Sequence, residues 1–317
     1  MNNFHSRFSE RLSSYLKLRC GLGFESEDEV FHLKAFDKYM QQRGYTGMLT
    51  QELALDFTSD NPNTSTNYRV RRYQVVRHFS DYLATFDPHT PRLDPKALRR
   101  SKARRQAHIY TDQELENVLG EARRISPSHP IRGVTLHAMV GLAASTGLRI
   151  SEVVRLDKSD VDLNTGRLIV RQTKFNKDRY VPLHETTLNV LRNYAALRET
   201  IYRDHCTVAF FINMSRQRFC INTVEQAFCK LLRRVGLRGL KGRGPCFHDL
   251  RHRFAVTRLV TWYKAGMEVQ ALLPALATYM GHVHYSDTAY YLKATAELLG
   301  LAANLYHQSL RQKDVSS

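Results

Sequence analysis

Residues 146–152 of the chain read T-G-L-R-I-S-E. An apolar helical pattern that begins near Pro130 runs up to this stretch, so we predict that Gly147 ends the helix. Arg149 then lies beside a helix end, with Glu152 three residues further on. The same spacing fits an ion pair on one face of a surface helix, which requires no functional explanation.

The hydrophobic period then changes from helical to alternating. N-T-G at residues 164–166 is a turn signal, and Leu168 and Val170 alternate with polar residues before Y-V-P-L at 180–183. This pattern predicts a small antiparallel sheet. Lys174 lies in the polar tip between the strands, where it is also explained as an ordinary hairpin lysine.

Two segments further along the chain contain histidine, arginine and tyrosine. H-D-L-R-H at residues 248–252 places His248 and Arg251 three residues apart, on one face of a predicted helix. Tyr291 follows His282 by nine residues. Each segment, taken alone, is explained at least as well by ordinary packing.

Length and charge restrict the class of protein. The 317 residues predict two domains, and 47 Lys and Arg against 30 Asp and Glu give a formal charge of +17. This excess favours a polyphosphate partner, with a basic protein that ignores nucleic acid as the alternative.

No apolar run reaches the ~20 residues that span a bilayer, and residues 1–10 lack an apolar leader. We therefore expect no membrane association and a cytoplasmic location.

The cysteines and carboxylates do not form a metal-binding pattern. Five cysteines without a CxxC pair predict reduced thiols rather than disulfides or a zinc site. No carboxylate cluster suits a catalytic metal. We expect neither a metal nor another cofactor.

The segment from about residue 5 to 87 is predicted to be helical. One helix, capped within residues 64–67, carries apolar residues three and four positions apart. Those residues are Val76, Phe79, Leu83 and Phe86. Its remaining surface is basic and suits phosphate contacts, although a solvated face is an equal alternative. The basic residues are Arg69, Arg71, Arg72 and Arg77.

A change in composition separates two predicted domains. We assign 1–95 to a helical domain, 96–108 to a basic linker and 109–317 to a second domain, where T-D-Q-E at 111–114 has the capping-box pattern. Prolines precede the linker, and its like charges resist packing. A flexible basic tether is the alternative, and it would still bind nucleic acid. The basic residues that we single out are Arg99, Arg100, Lys102, Arg104 and Arg105.

Together and in order, these segments resemble the tyrosine recombinases, the phage-integrase and Xer-like family. The family pattern is T-G-L-R-x-x-E, a lysine in a β-hairpin, H-x-L-R-H, G-H, and a tyrosine nine residues after that histidine. The motifs cover about residues 145–291, and the N-terminal helical segment has the size of the family's core-binding domain. The matching residues are Arg149, Glu152, Lys174, His248, Arg251, His282 and Tyr291.

The resemblance implies a mainly α-helical fold. A helical, SAM-like core-binding domain and an α+β catalytic domain with a small antiparallel sheet would form a C-shaped clamp on DNA. The implied activity is site-specific cutting and rejoining of double-stranded DNA through a 3′-phosphotyrosine link and a Holliday junction, without metal or ATP. The basic residues of the first domain and the linker would then bind DNA phosphates.

The resemblance also assigns roles to the cationic residues. Arg149 and Arg251 would bind phosphate oxygens, because a guanidinium group binds them in a bidentate manner and stays charged. Glu152 would hold Arg149 or a neighbour. Lys174 would protonate the departing 5′ oxygen.

Tyr291 is the implied nucleophile, with His248 assisting proton transfer and His282 hydrogen-bonding the phosphate. Adjacent helical residues point about 100° apart, so only one of Tyr290 and Tyr291 would face the phosphate. The family spacing selects Tyr291.

Two other pairs of candidates are also decided by the family pattern. Tyr285 is a more distant competitor for the nucleophile. Lys177 competes with Lys174, and the pattern places the catalytic lysine first.

One feature departs from the Xer-type members. His248 and His282 are 34 positions apart, roughly two helical turns more than we expect. The extra length, around residues 262–276, should lengthen the helix pair or the loop between the motifs. The overall pattern resembles recombinases of transposons and other mobile elements.

The C-terminal tail has an apolar stripe, which would dock on a neighbouring subunit or pack on its own domain. Docking on a neighbour would make the active unit a homo-tetramer on two DNA sites, with accessory recombinases or DNA-bending proteins as further partners. The stripe consists of Leu298, Leu299, Leu301, Ala302 and Leu305.

Two alternative functions remain from the sequence. A type IB topoisomerase-like enzyme would share the chemistry without choosing a site. A non-catalytic DNA-binding regulator would lack it, but the complete residue set argues against that alternative.

Overall fold

The computed structural model describes residues 4–24, 27–61, 64–99, 107–126, 129–171, 178–203, 207–240, 244–282, 285–293 and 300. These residues form twelve α-helices and three short strands. The chain divides into two compact units, Met1–Arg105 and Gln106–Ser317, each with its own hydrophobic core. The mainly helical fold with a small antiparallel sheet is the predicted one.

The first unit is built from four helices, α1 (Ser9–Gly21), α2 (Glu27–Gln42), α3 (Gln51–Ser59) and α4 (Thr66–Leu83). Ser65 caps α4, where its hydroxyl accepts a hydrogen bond from a backbone N–H of the first turn. The helical prediction for this part of the chain is confirmed.

The apolar face of α4 is buried among aromatic side chains. Phe79 packs edge-on against Phe8 and Tyr15, and Val76 and Leu83 are buried beside it. The prediction that Phe86 shares this face is wrong, because α4 ends at Leu83 and Phe86 is exposed.

The second unit begins with three helices. A capping box formed by Thr111 and Glu114 starts α5 (Asp112–Arg124), as predicted. Next come α6 (Pro130–Thr146), which ends at Gly147 with φ +66°, and the short α7 (Ile150–Arg155). A left-handed φ favours glycine, and an added Cβ would also lie 2.6 Å from the Phe254 ring.

The sheet contains β1 (Val161–Asp162), β2 (Arg167–Val170) and β3 (Arg179–Pro182), paired antiparallel in that order. Leu168 lies opposite Val181, and both are buried. The predicted hairpin is therefore present. Its tip, residues 172–177, lies outside the described residues.

The remaining helices are α8 (Glu185–Ile201), α9 (Ile221–Arg234), α10 (His248–Lys264), α11 (Val269–Met280) and α12 (Tyr285–Ala289). The segment 262–276 forms the end of α10, a short turn and the first part of α11. These two helices share a buried cluster with Tyr291, which lies in a 3-10 turn after α12. Among the described helices, none is long and apolar enough to cross a membrane.

Candidate active site

The site is organised around the first turn of α10. Arg251 is only 2 % exposed, so its guanidinium group needs hydrogen-bond partners within the protein. It donates from Nη1 to the carbonyl oxygen of Gly147 at 2.7 Å and from Nη2 to that of Met280 at 2.6 Å. Two helix ends thus fix its orientation. Burial, followed by repulsion from Arg149, lowers the pKa of Arg251 to about 10.

The C-terminal end of α11 binds three arginines through three consecutive carbonyl groups. The last carbonyls of a helix have no intrahelical partner and carry its partial negative charge. They therefore accept hydrogen bonds from cations that would otherwise repel one another. The pairs are Arg179 Nε to Tyr279 O at 2.9 Å, Arg251 Nη2 to Met280 O at 2.6 Å, and Arg149 Nη2 to Gly281 O at 3.1 Å.

Glu152 lies between two of these arginines. Oε1 accepts from Arg149 Nη1 at 2.9 Å and from Arg179 Nη1 at 3.1 Å, and Oε2 accepts from the Arg149 backbone N–H at 2.8 Å and from Arg179 Nη2 at 2.9 Å. Burial favours a higher pKa for Glu152, but hydrogen bonds and charge from Arg179, and then Arg149, outweigh it and lower the pKa. Glu152 is therefore a carboxylate at neutral pH.

Tyr291 lies inside this cationic group and is 3 % exposed. Its ring stacks with His282 and meets His252 edge-on. Burial raises the pKa of the phenol, while the charges of Arg251 and Arg149 and a hydrogen bond with Arg251 oppose the rise. The hydroxyl is thus protonated before DNA binds, next to groups that would stabilise a phenolate.

Two histidines complete the site. Nδ1 of His282 is hydrogen-bonded to the hydroxyl of Thr288 at 2.6 Å, and burial, followed by Arg251 and Arg149, lowers the pKa of His282 to about 4. More than a third of His248 is exposed. Desolvation on its protein side, and then repulsion from His252 and Arg251, lowers its pKa to about 4. Both imidazoles are neutral near pH 7.

The structure brings together all the predicted site residues of the second unit except the lysine. Lys174 and its competitor Lys177 lie outside the described residues, as do the side chains of Tyr285 and Tyr290. The converging residues are Arg149, Glu152, His248, Arg251, His282 and Tyr291. Within the described ranges, no three His, Cys, Asp or Glu side chains are placed to hold a metal ion.

Arg179 is a site residue that sequence reasoning did not single out. It lies two residues before the buried Val181, so the alternation of β3 places it on the covered side of the sheet. A charged residue on the covered side of a sheet requires a buried partner. The alternation along β3 is therefore the sequence signal that could have identified Arg179.

The basic residues of the first unit are held in different ways. Arg69 donates to Ser59 at 2.6 Å, Arg71 pairs with Asp28, and Arg77 pairs with Asp81. Arg72 is buried, and its guanidinium group lies 3.8 Å from the centre of the Phe57 ring. Arg99 is exposed. Arg100, Lys102, Arg104 and Arg105 lie outside the described residues.

Comparisons with known proteins show which family and which relatives this chain is similar to. The model of the phage integrase family matches residues 109–297. A putative integrase/recombinase of Sinorhizobium fredii, y4rE, is 42 % identical over 96 % of this chain and 97 % of its own length. Tyrosine recombinase XerC of Chlamydia caviae is 27 % identical over 72 % of this chain and 68 % of its own length.

Solved structures share the fold at low sequence identity. A post-cleavage complex of the XerH recombinase on its palindromic difH substrate has a TM-score of 0.64 at 17 % identity, covering 90 % of this chain and 80 % of that one. The Tn1549 transposon integrase with transposon right-end DNA has a TM-score of 0.64 at 14 % identity, covering 93 % and 98 %.

Proposed function

The chain belongs to the phage integrase family of tyrosine recombinases, and we propose that it cuts and rejoins double-stranded DNA at specific sites through Tyr291. The observation that carries this proposal is the Tyr291 phenol, which is hydrogen-bonded to Arg251 and lies within the electrostatic influence of Arg149. A tyrosine buried among fixed cations suits attack on an anionic phosphodiester.

Arg149 and Arg251 would stabilise the charge that builds on the non-bridging oxygens during attack. Arg251 is held by two carbonyl groups, so its donors are oriented before the substrate arrives. Arg149 keeps 34 % of its side chain exposed, which leaves it accessible to a phosphate. Loss of one such donor typically slows a reaction by about 10²–10³.

The hydroxyl of Tyr291 would attack phosphorus and form a 3′-phosphotyrosyl bond, while the bond to the 5′ oxygen breaks. The phenol must lose its proton, and His248 would assist that transfer because it is neutral near pH 7. His282 would hydrogen-bond the phosphate. Lys174, in the tip that joins β2 to β3, would protonate the departing 5′ oxygen.

The phosphotyrosyl bond retains the energy of the diester, so a 5′-hydroxyl from a partner strand reverses the step without ATP. Two such exchanges proceed through a Holliday junction. A lambda integrase of the same fold was solved as a tetramer bound to a Holliday junction. We extend this to a homo-tetramer of the present chain on two DNA sites, with accessory recombinases or DNA-bending proteins as further partners.

The predicted domain organisation would supply the other DNA contacts. The predicted core-binding domain 1–95, basic linker 96–108 and catalytic domain 109–317 would each contact the duplex. The basic residues of the linker and of the first unit, apart from the buried Arg72, would contact phosphates, giving strong salt dependence. A protein with these functions would act in the cytoplasm, associated with the nucleoid.

A nicked suicide duplex tests the proposal. The duplex is taken from the DNA that flanks the gene, which is first searched for inverted repeats, and cleavage releases a short strand so that the covalent complex accumulates. We expect a protease-sensitive DNA adduct with the wild type and none with Tyr291→Phe. DNA binding without any adduct would favour a non-catalytic regulator, and plasmid relaxation without recombinant products would favour a topoisomerase.

A further inference from the structure

Arg179 takes no part in the steps described above, yet it makes three hydrogen bonds within the site. Two go to the carboxylate of Glu152, at 3.1 and 2.9 Å, and one goes to the carbonyl oxygen of Tyr279 at 2.9 Å. Its side chain is only 11 % exposed. Each of its three guanidinium nitrogens is bound to an acceptor within the protein.

The charges around Glu152 show what Arg179 contributes. Glu152 orients Arg149 through its side chain and its backbone N–H. A carboxylate paired with Arg149 alone would also offset the positive charge that the phosphate needs. Arg179 supplies a second cation on the same two oxygens, so the group of Arg149, Glu152 and Arg179 keeps a net positive charge.

Arg179 also joins three elements of the second unit. It is the first residue of β3, it binds Glu152 in α7, and it binds the last turn of α11. A Cβ placed on Gly281 would lie 2.9 Å from Arg179 Nη1, so the backbone leading to His282 packs directly against the guanidinium. A shift of Arg179 would therefore displace both Arg149, through Glu152, and the backbone that leads to His282.

We propose that Arg179 is a positioning residue for strand cleavage, which balances and holds Glu152 so that Arg149 stays aligned and charged for the scissile phosphate. This inference rests on the proposed function, because it requires that Arg149 binds the scissile phosphate. The residue acts through Glu152 and does not touch the DNA.

Single-turnover cleavage by Arg179→Gln tests the proposal with two substrates, the normal diester and a diester whose scissile phosphate is replaced by an uncharged methylphosphonate. On the normal diester we expect a loss of about 10- to 100-fold, less than for a direct phosphate donor. On the neutral substrate the loss should shrink to a few-fold, because less charge needs stabilising. Arg179→Lys should recover part of the rate.

Arg167→Gln is the matched control, since Arg167 is an exposed arginine of the same sheet. It should cleave both substrates as the wild type does. An equal loss on the two substrates in Arg179→Gln, or a loss that simply follows a lower melting temperature, would overturn the proposal. Absence of an adduct with the wild-type protein would instead count against the proposed function.

A second measurement requires no activity. We expect Arg179→Gln to lower the free energy of unfolding in the wild-type background but to have much less effect in Glu152→Gln, since the neutral amide needs no compensating charge. Additive effects of the two substitutions would contradict the pairing on which the proposal depends, whether or not the protein cleaves DNA.

Discussion

Arg251 donates from Nη2 to the carbonyl oxygen of Met280 at 2.6 Å, although the two residues are 29 positions apart. Met280 is the last residue of α11, so this bond satisfies a carbonyl group at a helix end. A buried guanidinium is thereby aligned by main chain rather than by flexible side chains.

Gly281→Ala should weaken cleavage as well as stability. Gly281 has φ +66°, where a side chain costs about 1–2 kcal/mol, and the new Cβ would also meet Arg179. We expect a lower free energy of unfolding and a cleavage rate at least about tenfold below the wild type. Denaturant unfolding and single-turnover cleavage measure the two effects.

Gly266→Ala is the control for this substitution. Gly266 has the same φ of +66°, and an added Cβ there meets nothing within 4 Å. It should therefore lose similar stability but keep its cleavage rate. Equal loss of cleavage in the two variants would show that backbone strain alone explains the effect of Gly281→Ala.

Thr288→Val should slow cleavage through His282. The Thr288 side chain is fully buried and its hydroxyl is hydrogen-bonded to His282 Nδ1, which fixes the ring and the position of its proton. Loss of a bond of about 1–1.5 kcal/mol predicts a roughly tenfold slower reaction. Thr288→Ser keeps the hydroxyl and should remain within a few-fold of the wild type. If both variants react like the wild type, the bond does not orient a functional imidazole.

The stability of the DNA-free protein should depend on pH through His282. Its pKa is about 4 in the folded chain against an ordinary 6.5, so the unfolded chain takes up the proton first as pH falls. The stabilisation is complete above about pH 6.5 and is lost towards pH 4. Urea unfolding from about pH 7 to pH 5 should therefore show a smaller loss for His282→Gln than for the wild type.

His129→Gln serves as the reference for this comparison, because His129 is exposed and lies before α6. It should follow the wild-type pH dependence. Other buried histidines are common to all three proteins, so their contributions cancel. Identical curves for His282→Gln and the wild type would mean that His282 is not held neutral by its surroundings.

Much of the fold and of the site could be predicted because local signals specify them. The Thr111 capping box, the end of α6 at Gly147 and the alternation around Leu168 are each set by a few neighbouring residues. The grouping of Arg149 with Arg251 was predictable from motif order alone. In such motifs, residues that meet in the folded protein occur in a fixed order and at characteristic spacings along the chain.

The remaining features depend on long-range packing. Nothing near Arg179 in the sequence shows that it meets Glu152, 27 positions away, and the carbonyl group of Tyr279, 100 positions away. Phe86 follows the apolar period of α4, but the helix ends before it. Arg72 lies in a basic stretch and is nevertheless buried on Phe57, a residue of another helix. In each case tertiary contacts, rather than periodicity, set the environment.

The most direct measurement is the identity of the residue that is covalently linked to DNA. Digestion of the suicide-duplex adduct with protease and nuclease, followed by mass spectrometry, should place a nucleotide on Tyr291 through a 3′-phosphate. Tyr290→Phe should still form the adduct, whereas Tyr291→Phe should not. A nucleotide on Tyr290 or Tyr285, or an adduct that persists in Tyr291→Phe, would contradict the account.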